Sequence, residues 1–141
     1  MIVWISKTLA LAIHERQLAE HGGSSGVRDE GLLDSALARS QQLYAYGNPP
    51  PDLADLAASV AFGLARNHPF IDGNKRTAHV CYRVFLQLNG GNLVAGSEEK
   101  YAAMIGLAEG SLSEAEFAQW LRERIVIEKD GEVQEAKARF R

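Results

Sequence analysis

Residues 68–77, HPFIDGNKRT, place an imidazole, an aromatic ring, a carboxylate, a Gly-Asn turn and two adjacent cations within ten positions. Pro69 forbids a continuous helix through the first half of the stretch. A helix starting at Asn74 would present its unpaired backbone N–H groups and the positive end of its dipole at the bend, which is an anion site before any side chain is counted. Gly73 allows a torsion and a close approach that a Cβ would obstruct, and Lys75 and Arg76 add formal charge where a phosphate would lie. Asp72 would repel such a ligand unless a divalent cation stood between them, and Mg²⁺ binds through one or two carboxylates plus phosphate oxygens. His68 supplies the side-chain type best suited to taking a proton near neutral pH. Base, metal ligand and phosphate cradle together describe phosphoryl-type transfer.

Each residue also has a plainer role open to it. Asp72-Gly73 reads as a turn with Asn74 as cap, Phe70 as a core plug, and Lys75 and Arg76 as solvated first-turn charges. Thr77, His79, His14 and His21 read as structural. A phosphate-binding G-x-x-x-x-G-K-[ST] loop is excluded, because Asn74 separates Gly73 from Lys75 and no strand precedes them.

The elements that must hold this bend are helical. Residues 7–21 carry Leu9, Ala12 and Ile13 on one face, until HGGSSG (21–26) breaks the helix with a loop expected to be exposed and mobile. Asp29 can cap a helix over about 30–39, and YGNPPPD (46–52) is a stiff connector. From Asp52, Leu53, Leu56, Ala57, Val60, Ala61 and Leu64 repeat at helical spacing up to Asn67. Beyond the bend, Ala78, Cys81, Val84, Phe85 and Leu88 repeat the same period until NGGN (89–92). Two shorter helices follow, one capped by Ser97, the other by Ser113 with Glu116 at the capping-box position. Strand signal is confined to IVW (2–4) and IVIEKDGEV (125–133), where Asp130-Gly131 suggests a hairpin and a continued charged helix is the equal alternative.

At 141 residues the chain makes one domain with one real core. With 15 basic and 18 acidic residues, the net charge of −3 argues against direct nucleic-acid binding, which wants a basic stripe. The lone Cys81 lies in an apolar stretch and reads as a small buried thiol in a reducing compartment. Lys7, His14, Glu15 and Arg16 interrupt the N-terminal apolar residues, so neither a membrane span nor an export signal is expected, and the expected location is cytoplasmic.

HPFIDGNKRTA resembles, at every fixed position, the Fic/Doc signature His-x-Phe-x-(Asp/Glu)-(Gly/Ala)-Asn-(Gly/Lys)-Arg. LAIHERQLAEHGGSSGVRDEGLLDSAL and YAYG before it, and FLQLNG after it, are similar to the Doc branch, so the likeness spans roughly residues 5–122. It implies an all-α bundle in which the motif loop leads into a central helix. A Fic/Doc domain would occupy residues 1–122, with an extension of unknown role over 123–141.

The resemblance also implies an activity. Fic proteins with glycine at the position of Lys75 transfer AMP to a hydroxyl, whereas lysine there goes with a reversed nucleotide and transfer of the γ-phosphate of ATP. Doc toxins phosphorylate a threonine of translation elongation factor Tu and arrest translation. By that mapping His68 is the base, Asp72 holds Mg²⁺, and Gly73, Asn74, Lys75 and Arg76 grip phosphates, with Arg66 as a further phosphate ligand and Phe70 as the loop's anchor. Gly22, Gly23, Gly26 and Arg28 correspond to the flap that aligns a target segment by strand addition. The self-inhibitory (Ser/Thr)-x-x-x-Glu-(Gly/Asn) string is absent from the sequence, so restraint is expected from a separate antitoxin whose disordered segment folds on binding. AMP transfer and a non-catalytic nucleotide-binding relative stand as alternatives.

Overall fold

The computed structural model describes residues 1–128. Six helices, α1 (Lys7–His21), α2 (Glu30–Tyr46), α3 (Leu53–Asn67), α4 (Asn74–Leu88), α5 (Ser97–Glu109) and α6 (Glu114–Arg122), are joined by one antiparallel ribbon of β1 (Gly91–Leu93) and β2 (Ile125–Ile127). The fold is therefore all-α with a two-stranded accessory.

α3 and α4 form the axis. α3 packs against α2, α4, α5 and α6, and α4 against α1, α3, α5 and β1. α3 is buried almost all round, from Ala54 to Ala65, which its small residues permit. At Gly63 a Cβ would stand 3.0 Å from the Ala36 carbonyl oxygen and 3.2 Å from its Cα, so the glycine sets how closely α2 approaches. Tyr82, Phe85 and Leu86 of α4, Met104 and Leu107 of α5, and Phe117 and Leu121 of α6 are among the largest fully buried side chains of the core.

Caps explain most helix starts. Ser6, Asp29, Asp52 and Ser113 each accept a backbone N–H of the first turn, and Asp52/Asp55 and Ser113/Glu116 are complete capping boxes. Three boundaries differ from the expectation. α2 runs on to Tyr46, since nothing in SQQLYAY stops it before Gly47. α5 is preceded by Gly96 as N-cap, with Ser97 its first helical residue and no side-chain cap bond. Residues 2–4 form no strand: the Asn89 carboxamide takes the place of a neighbouring strand, accepting from Val3 N–H at 2.7 Å and donating to the Val3 carbonyl at 2.8 Å.

Ile125–Ile127 does form a strand, and it pairs with Gly91–Leu93. The Asp130-Gly131 turn lies outside the described residues. The pairing ties the chain after α6 back to the end of α4. No helix among the described residues is long and apolar enough to cross a membrane.

Candidate active site

α3 ends because its C-cap, His68, turns left-handed (φ 49°, ψ 55°) and Pro69 follows. Among the described residues His68 is the one non-glycine with positive φ. Such a conformation costs about 1–3 kcal/mol and persists only where its surroundings enforce it. Arg28 does so here. Its Nε donates to the His68 carbonyl at 2.7 Å and its second guanidinium nitrogen to the Asn67 carbonyl at 2.9 Å, satisfying acceptors that the helix end leaves free.

The next residues are held from three sides. Phe70 is 1% exposed and anchors the loop in the core. The Asn74 carboxamide accepts from Phe70 N–H at 2.9 Å and donates to Phe70 C=O at 3.0 Å, so both its polar atoms close the loop onto the start of α4. The flap pairs with the loop from outside: Arg28 N–H donates to the Pro69 carbonyl at 2.7 Å and Ile71 N–H to the Gly26 carbonyl at 3.1 Å, an antiparallel bridge between Val27 and Phe70. From the third side, α1 contributes His14. Its Nε2 lies 2.8 Å from the Asp72 carbonyl oxygen, and its ring stacks on Phe70 at 3.8 Å and 7°.

Asp72 and Gly73 complete the bend. Gly73 is the left-handed N-cap of α4 (φ 77°), a conformation that favours glycine. Its N–H donates to Asp72 Oδ1 at 2.8 Å, and Ser24 N–H of the flap donates to Oδ2 at 3.2 Å. No side chain caps α4, so the anion-attracting end of the helix stays available.

His68, Asp72, Gly73, Asn74, Lys75 and Arg76 line one cavity of about 690 Å³, within the range of small-molecule sites. Lys75 and Arg76 are exposed and form no ion pair with a described carboxylate, leaving two cations beside the helix start. Phe70 stands behind the loop as its anchor rather than in the cavity wall. Arg66 points elsewhere: its guanidinium covers the Phe62 ring at 5.4 Å and is absent from the cavity wall. The flap glycines Gly22, Gly23 and Gly26 all have positive φ; Gly23 lies against the Asp72 carboxylate and Gly26 against the Ile71 side chain, whereas Gly22 faces open space.

The structure adds residues that the sequence left with structural roles. His79, one turn into α4, lines the cavity with Tyr101 and Met104 of α5 and with Gln17 and His21 of α1. Burial, with Arg83 and Lys100 nearby, holds the His79 imidazole down to about 4, so it is neutral at physiological pH. Its Nδ1 is buried without a hydrogen-bond partner. Histidines spaced a helical turn from a motif were the available signal, yet spacing alone does not distinguish a cavity wall from a core.

The Asp72 carboxylate fits a cation shared with a phosphate. Two of its roughly four lone-pair sites take backbone N–H groups, which leaves acceptor capacity on a carboxylate that lines the cavity. Among the described residues no three His, Cys, Asp or Glu side chains could hold a metal by themselves, so a cation here would draw its remaining ligands from substrate and water.

Residues 4–86 match the family model described as Fic/DOC family. The chain is 34% identical over 118 residues to the protein named Protein kinase doc of Escherichia phage P1, covering 84% of this chain and 92% of that one. It is 49% identical over 74 residues to the protein named Toxin Doc of Mycolicibacterium smegmatis (strain ATCC 700084 / mc(2)155), a match covering 52% of this chain and 57% of that relative. With the family model matched over residues 4–86, the signature loop included, and a relative 34% identical over 84% of the chain, the chain belongs to the Fic/DOC family.

Proposed function

We propose that the protein is a Doc-like toxin: a protein kinase that moves the γ-phosphate of ATP to a threonine hydroxyl of elongation factor Tu and so arrests translation. The observation that carries this is the convergence of His68, Asp72, Lys75 and Arg76 on one cavity at an uncapped helix start. The name of the phage P1 relative supports a kinase, and Lys75 in place of the AMP-transferring glycine supports γ- over α-transfer.

In this reading His68 accepts the proton of the target hydroxyl as its oxygen bonds to the γ-phosphorus. The bond from that phosphorus to the β–γ bridging oxygen breaks, and ADP leaves with the electron pair. The α4 N–H groups, Lys75 and Arg76 stabilise the charge spread over the equatorial oxygens. Asp72 would hold Mg²⁺, which when bound neutralises phosphate charge. Asn74 contributes through loop shape and its backbone N–H, since its carboxamide is committed to Phe70. The flap would align a target segment by strand addition, and a separate antitoxin with a segment that folds on binding would restrain the enzyme.

The deciding measurement is label transfer from γ- and, separately, α-labelled ATP to purified elongation factor Tu. Label from the γ position alone is expected, with His68→Ala slower by roughly 10²–10⁴-fold, the usual contribution of a general base. Label from the α position alone would instead assign AMP transfer. No label from either, with folded protein, removes the enzyme.

A further inference from the structure

We infer that His14 of α1 is a positioning residue that sets the orientation of the Asp72 carboxylate and the α4 N-terminus through the Asp72–Gly73 peptide. The inference deepens the kinase reading and rests on it for the role of Asp72. His14 is 3% exposed, 58 residues before Asp72 in sequence, and outside the signature.

A carbonyl oxygen only accepts, so His14 Nε2 carries the hydrogen in the 2.8 Å contact with the Asp72 carbonyl. The peptide that follows is planar and trans, so fixing its C=O toward α1 points the Gly73 N–H the opposite way. That N–H meets Asp72 Oδ1 at 2.8 Å. One bond from α1 thus sets the peptide plane, and the plane sets the carboxylate. The same plane leads directly into Asn74, so it also aims the first free N–H groups of α4.

The imidazole is itself held. It stacks on Phe70 at 3.8 Å and 7°, and Phe70 is fastened at both backbone atoms by Asn74. His14, Phe70, Asn74, Gly73 and Asp72 form a closed ring of contacts with no slack position. A benzyl ring at residue 14 would preserve the stack and lose the donor, whereas a carboxamide would preserve a donor and lose the stack. The two roles can therefore be separated.

The test compares His14→Phe, His14→Gln and, as a stability control, Leu107→Ala, a buried core residue of α5 outside the cavity wall. In His14→Phe, kcat for phosphoryl transfer to elongation factor Tu is expected to fall by about a hundredfold, the scale of a small misplacement of reacting groups. KM for ATP should stay within roughly threefold, because binding is largely retained. The Gly73 amide should exchange at least about tenfold faster as its hydrogen bond loosens. His14→Gln should recover part of kcat, and Leu107→Ala should lose stability while keeping kcat. Wild-type kcat in His14→Phe overturns the inference. If His14→Phe does not fold, the wild-type imidazole decides: a ¹⁵N spectrum with no slowly exchanging hydrogen on His14 Nε2 overturns it. Should the wild type transfer no phosphate, the proposed function fails, and unchanged Gly73 exchange in His14→Phe would separately overturn the positioning role.

Discussion

A Cβ added at Gly23 would lie 2.8 Å from Asp72 Oδ2 and 3.0 Å from Leu18 Cδ2, at a φ of +124° that L side chains rarely adopt. The flap glycine is therefore a space reserved for the carboxylate. Gly23→Ala should push Asp72 off its two N–H donors and reduce turnover by roughly tenfold or more, the scale on which misplaced catalytic groups act. The flap is exposed, so the cost in stability should be only about 1 kcal/mol. Steady-state kinetics beside a urea titration checks both halves, and a variant with unchanged kcat would show that the flap tolerates the methyl. At this scale the grouping of the loop residues was readable, since HPFIDGNKRT already holds the imidazole, carboxylate and cations that line the cavity. His14 was not, because its bond crosses 58 residues and a buried histidine on an apolar face has no local mark.

Among the helices, Gly63 shows how one missing side chain sets a distance between elements. Alanine would gain about 1 kcal/mol in helix propensity. It would also drive a methyl against the Ala36 backbone, where α2 cannot yield without shifting, and overpacking of that kind costs typically 1–3 kcal/mol. Gly63→Ala should therefore be net destabilising by about 1 kcal/mol, measurable as a lower urea midpoint at unchanged slope. A higher midpoint would mean that α2 relaxes freely. Helix existence was legible throughout, because period and caps are local. The longer α2, the Gly96 cap and the β1–β2 pairing were not. The strand partners lie between 125 − 93 = 32 and 127 − 91 = 36 residues apart and obey tertiary geometry, which no local pattern carries.

For the molecule as a whole, acid should erode stability in two windows. An unfolded histidine takes up a proton near its ordinary 6.5, but His79 in the folded chain resists until about 4, so folding weakens as pH falls between those values. Asp52, paired with Arg122 at 2.6 Å and accepting from Asp55, is held down to about 2 against an ordinary 3.8. Its contribution is present above 3.8 and is lost as pH falls toward about 2. Because Asp52 is half exposed, that contribution is about 1 kcal/mol at most. Urea midpoints across pH 2–7 should show both windows, with His79→Phe flattening the upper and Arg122→Ala the lower. Unaltered profiles in both variants would assign the acid lability to other groups.

The flap amide of Ser24 occupies one lone pair of Asp72. A ligand that claims that same lone pair evicts the amide, and one that draws the flap away frees it for the cavity. Loading of the cavity and posture of the rim are thus reciprocal quantities with one shared coupling energy. A partner that grips the rim would alter affinity inside the cavity by the same factor as cavity occupancy alters its own, even without touching the bound molecule.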